Sequence, residues 1–149
     1  MYQPSRRGII LGTAFLIASA TRPSSSRANE PTALAIKGFD PVAYFTLGKP
    51  MPGRADIAYE WDEQRYYFAT PEHREMFKSD PVRYAPQFAN FCAMALARGQ
   101  KFEANPEYWL VDGDKLYLFA VAAGPARFGE NLKANAENAV QNRGLIAKP

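Results

Sequence analysis

Ile57-Ala58-Tyr59-Glu60-Trp61-Asp62-Glu63-Gln64-Arg65-Tyr66-Tyr67-Phe68-Ala69-Thr70-Pro71-Glu72 decides the fold class. Ile57, Tyr59 and Trp61 alternate with Ala58, Glu60 and Asp62, the period-2 pattern of a strand with one buried face. Arg65 to Ala69 reads as a second, aromatic-rich strand, and Asp62-Glu63-Gln64 as the hairpin turn between them. Thr70 stands where an N-cap is wanted, and Pro71 falls in the first helical turn, where its missing N–H costs nothing. His73, Met76 and Phe77 then follow at i, i+3 and i+4 and share one helix face. A hairpin that runs straight into a helix predicts an α+β chain.

Working outward, Ala33 to Gly38 is a short apolar segment suited to an edge strand. Asp40-Pro41-Val42-Ala43-Tyr44 combines an N-cap with a first-turn proline and predicts a helical turn ending near Gly48. Lys49 to Gly53 is loop. Ser79-Asp80-Pro81 closes the second helix and starts another turn, so Asp-Pro-Val-x-Tyr occurs at both 40 and 80. Nothing around the two copies matches, so this is one capping solution used twice, not an internal repeat. The structural caps are thus Asp40, Thr70 and Asp80. Phe91 to Arg98 sets Cys92, Met94 and Leu96 against alternating alanines and reads as a strand or a short helix. Tyr108 to Val111 and Leu116 to Phe119 flank Asp112-Gly113-Asp114, where Asp-Gly supplies the positive φ of a tight hairpin. Gly124-Pro125 opens a last helix to about Asn142, with Phe128, Leu132, Ala136 and Val140 as its apolar stripe and Gly144 capping its end. The expected architecture is a small single α+β domain. Two antiparallel hairpins form a sheet covered by short helices and a C-terminal helix. The domain spans 34–122, and 123–149 forms the C-terminal helix, packed on it or partly free.

The amino-terminal stretch has a different character. Arg6 and Arg7 precede Gly8 to Ala20, a run without charge. It is shorter than the roughly 20 residues a spanning helix needs. Small-x-small sites end at Ala20 and Ala28. This is the layout of an export signal of the twin-arginine type, predicting a signal peptide over 1–28, a linker over 29–33, and a mature protein delivered to the periplasm by the twin-arginine export machinery. The formal charge of +3 comes from that leader. Four of the 18 basic residues precede residue 29 and all 15 acidic residues follow it, which leaves 14 basic against 15 acidic in the mature chain. The electrostatic case for nucleic acid, or for a membrane surface after cleavage, disappears with it.

Several segments resemble a YHS domain: Gly38-Phe39-Asp40-Pro41-Val42-Ala43-Tyr44-Phe45, Tyr66-Tyr67-Phe68-Ala69, Arg74-x-x-Phe77, Asp80-Pro81-x-x-Tyr84-Ala85-Pro86-Gln87-Phe88 and Cys92-Ala93. The resemblance runs from about Leu34 to Phe119 and is strongest to the exported bacterial branch. The metal-binding branch implies a small α+β module with several cysteine ligands. Those positions correspond here to Ala43, Ala69 and His73, so the thiolates are missing and one imidazole stands in their place. The exported branch implies Gly-Gly-Tyr-Cys-Ala, where this chain has Ala89-Asn90-Phe91-Cys92-Ala93. It also implies a tryptophan in the last helix, where this chain carries Phe128.

Cys92 is the single cysteine, so an internal disulfide and a cysteine-rich zinc site are both excluded by count. It reads either as a soft ligand or reactive thiol, or as a small buried core residue. On a strand Met94 would share its face. A set of Cys92, Met94 and His73, the only histidine, would favour copper or another soft metal over magnesium or calcium. No nucleophile elbow, phosphate loop or His-x-x-x-His occurs, and no catalytic residue is assigned. The function expected is a non-enzymatic periplasmic binding module for a soft metal ion or small ligand. The alternatives are a thiol-dependent redox protein or enzyme using Cys92, and an accessory domain that binds another protein.

Overall fold

The computed structural model describes residues 32–147. The expected leader, with Arg6 and Arg7, lies outside the described residues. Ala33–Leu34 forms β1, followed by a 3-10 turn, Ala35–Gly38. The first short helix, α1, is Ala43–Thr46. Strands β2 (Arg54–Trp61) and β3 (Gln64–Phe68) make the expected hairpin, with register Trp61↔Gln64 and Tyr59↔Tyr66. The turn is one residue shorter than expected. Asp62 and Glu63, at φ 48° and 59°, close it, and Gln64 already pairs. Two successive positive φ values are the type I′ geometry whose twist matches that of the strands.

Helix α2 (Pro71–Ser79) and helix α3 (Pro81–Tyr84) follow. Thr70 accepts a hydrogen bond from His73 N, and Asp80 accepts one from Arg83 N, so both act as caps. The ambiguous Cys92 segment is helical: α4 spans Ala93–Ala97. Alternation of polarity was no guide there, because alanine satisfies either period. Strands β4 (Asn105–Asp112) and β5 (Lys115–Phe119) pair with Asp112 opposite Lys115, so the turn residues are Gly113 and Asp114.

The fold class is α+β as expected, but the two hairpins do not share one sheet. The first sheet has the order β1-β3-β2, with β1 parallel to β3; the second contains only β4 and β5. A single bridge, Pro86↔Leu116, leads from the α3 side to β5. The C-terminal helix also departs from expectation. It breaks into α5 (Gly124–Gly129) and α6 (Leu132–Gln141), with Asn131 non-helical at φ −138°, ψ 55°. The break lets Phe128 and Ala139 both reach the core, whereas the expected stripe residue Val140 is 55% exposed. Gly144 does not cap α6; it lies inside a second 3-10 turn, Arg143–Ile146.

Two cores result. The first gathers Val42, Tyr44, Ile57, Tyr66, Phe68, Phe77, Tyr84, Leu116 and Leu118. Phe77 is its hub, with ring centroids of Tyr59, Trp61, Tyr66 and Phe68 between 4.6 and 6.3 Å away. The second gathers Phe88, Cys92, Leu96, Tyr117, Phe119, Phe128 and Ala139. Helix α6 closes this second core by packing on α4, and Asn142 Nδ2 donates to Leu96 O at 2.8 Å. β5 serves both cores, because successive side chains of a strand point to opposite faces.

Candidate functional site

Asp40 is the only buried polar or charged side chain of the described residues, at 0% exposure. Asp40 and Pro41 precede α1, whose N-cap position is Val42 rather than the expected Asp40, but Oδ1 accepts from Val42 N at 2.8 Å and Ala43 N at 3.4 Å and so holds the turn that leads into the helix. The other oxygen has a use that the sequence did not disclose. Oδ2 accepts from Ala69 N at 2.9 Å and lies 2.6 Å from His73 Nδ1. One carboxylate thus ties the start of α1, the end of β3 and the first turn of α2 together. A buried carboxylate is tolerable only when its oxygens are hydrogen-bonded in this way.

His73 reaches Asp40 because Thr70 sets where α2 begins. With both carboxylate oxygens already accepting backbone N–H groups, Asp40 acts as an acceptor and Nδ1 carries the ring hydrogen. Nε2 then faces the Thr46 hydroxyl, 3.2 Å from Oγ1. The His73 side chain is 12% exposed and Thr46 is exposed, so this end of the chain of contacts reaches solvent. Beneath it, Tyr44 donates its hydroxyl to Pro106 O at 2.9 Å. Burial, helped by the charges of Glu107 and Asp40, pushes the Tyr44 phenol well above its ordinary 10.0.

Cys92 lies elsewhere. It is buried at 4% exposure and stands at the N-cap of α4, where its sulfur accepts from Ala95 N at 3.4 Å. Met94 is half-buried in the same helix against the second core. A helix separates residues 92 and 94 by about 200° around its axis, so they do not present one face as a strand would. His73 sits on α2, which packs against the first hairpin and α3, whereas α4 packs against β5, α5 and α6. Among the described residues no group of three or more His, Cys, Asp or Glu could hold a metal ion.

The departure at Ala89-Asn90 also has a structural meaning. Ala89 has φ 50°, a left-handed conformation that glycine adopts without strain. Asn90 does what glycine could not: Oδ1 accepts from Ile36 N at 2.6 Å and Nδ2 donates to Leu34 O at 3.0 Å. Its amide thereby pins the 3-10 turn in which Ile36 and Lys37 both hold φ 50°.

The residues missed by sequence reasoning are Thr46 and the Asp40–His73 pairing. One signal was available. A capping carboxylate uses one oxygen for its helix, and when it is buried the second must find another donor. Comparison of the chain with protein-family models, with curated proteins and with solved structures gives no match. Among the described residues no helix is long and apolar enough to cross a membrane.

Proposed function

We propose that the mature chain is an exported, YHS-like binding module of the periplasm, and that His73 held by Asp40 is its contact group. One observation carries this reading: Nδ1 lies 2.6 Å from a carboxylate that is itself fully buried, which leaves Nε2 as the other ring nitrogen, 3.2 Å from the hydroxyl of the exposed Thr46. An imidazole fixed by a carboxylate presents a single nitrogen in one tautomer, the arrangement found behind most metal-binding histidines. The ligand is a small molecule offering an N–H or O–H to Nε2, or a soft metal ion such as copper that completes its coordination with groups from outside this chain. The motif resemblance supports the family, and the twin arginines support the compartment and the export machinery as a partner. The near-neutral mature charge favours neither nucleic acid nor an anionic membrane. A thiol-based role for Cys92 has less support, because its sulfur is buried and already accepts a hydrogen bond.

Native mass spectrometry of the protein taken from periplasm tests the reading together with a Cu(II) titration followed on the His73 ring resonances. A bound species, or selective broadening of those resonances, is expected, and the bound species should be absent from the mass spectrum of His73→Gln. A bare chain whose ring resonances ignore Cu(II) would overturn it.

A further inference from the structure

Asp40, His73 and Thr46 stand in order from a fully buried acid, through a mostly buried imidazole, to an exposed hydroxyl. The spacings are 2.6 Å from Oδ2 to Nδ1 and 3.2 Å from Nε2 to Oγ1. Both lie within the reach of an acid–base–hydroxyl relay. The same carboxylate also holds the hydroxyl in place. Oδ1 anchors Val42 N and Ala43 N at the head of α1, and Thr46 N donates to Val42 O at 3.0 Å. Base and hydroxyl are therefore set against each other by one buried residue. Thr46 Oγ1 is also 3.1 Å from Val42 O. Its single hydrogen serves either acceptor, and a turn about the Cβ–Oγ1 bond redirects it to Nε2 without moving a heavy atom.

We propose that Thr46 is a nucleophilic hydroxyl with His73 as its general base and Asp40 as the positioning residue, and that it takes small acyl groups from activated carboxylic esters. Thr46 Oγ1 forms a bond to the ester carbonyl carbon while its proton passes to Nε2. The bond from that carbon to the leaving oxygen then breaks, and the leaving oxide takes the proton from the imidazolium. Charge and protons balance with no other reactant. Aryl esters are the suitable class, because their leaving oxides need little help to depart. This activity goes beyond ligand binding at His73 and does not depend on it.

The test incubates the mature protein with p-nitrophenyl acetate and locates acetyl groups by tandem mass spectrometry. An acetyl on Thr46 is expected, with a solvent deuterium isotope effect above unity in the wild-type protein. Thr46→Ala should carry none, Thr46→Ser should restore it, and His73→Gln should slow it about 100-fold or more. Melting curves establish that each variant is folded; the Thr46 pair and the isotope effect decide the matter should His73→Gln not fold. Acetylation confined to lysines, or a Thr46 rate unchanged in folded His73→Gln, would overturn the proposal. Neither result bears on Cu(II) binding, so the two readings fail separately.

Discussion

Replacing Asp40 by alanine removes four hydrogen-bond partners at once, and the cost can be built up from them. Val42 N and Ala43 N lose a capping oxygen, worth about 1 kcal/mol. Ala69 N, at 2.9 Å, loses a charged acceptor, worth about 2 kcal/mol at a part-buried site. His73 Nδ1 loses its orienting partner, worth about 1 kcal/mol at a ring that still touches solvent. Together these come to about 4 kcal/mol, a large share of the roughly 5–15 kcal/mol of a typical domain. Asp40→Asn separates the terms. Its oxygen can keep the cap, but its amide nitrogen then faces the Ala69 N–H, donor against donor, while His73 can change tautomer. About 2 kcal/mol is expected for that variant. Urea unfolding followed by tryptophan fluorescence measures both, with m-values checked for constancy. If Asp40→Ala costs under about 1 kcal/mol, or Asn costs as much as Ala, the carboxylate is not the shared anchor described above.

Other outcomes follow from single positions. Ala89→Gly should stabilise the protein, since relief of a left-handed alanine at φ 50° is worth about 1–2 kcal/mol against about 0.5–1 kcal/mol for the added freedom of the unfolded chain; a lowered urea midpoint would contradict it. Cys92 should resist thiol reagents in native buffer and react rapidly in denaturant, as its 4% exposure dictates; fast native labelling would mean that α4 opens readily. Stability should hold up to about pH 10 and fall beyond it. Burial raises the Tyr44 and Tyr66 phenols above 10.0 in the fold, so above that pH the unfolded chain releases protons that the folded one retains. A urea midpoint that is flat through this range would show that neither phenol stays protonated in the fold.

Local signals were legible because they depend on neighbours in the chain. Thr70 and Asp80 cap their helices as side chains followed by proline should, and Ile57, Tyr59 and Trp61 put their inward face where alternation predicts. The signals that failed lacked such neighbours. Alanine-rich Phe91 to Arg98 carries no period that separates helix from strand. The stripe through Phe128 and Val140 assumed one unbroken helix, and Asn131 interrupts it.

What the sequence by itself determined was the α+β class, the two hairpins and the caps Thr70 and Asp80, each settled by periodicity or by a turn within a few residues. Tertiary structure alone decided that Asp40 also meets a histidine. Asp40 and His73 are 33 residues apart, and only the packing of α2 on the first hairpin and α3 brings them to 2.6 Å. It decided equally that Cys92 lies in the second core rather than beside His73. A carboxylate withdrawn from water must satisfy both its oxygens, and which donor answers the second one depends on how the chain packs.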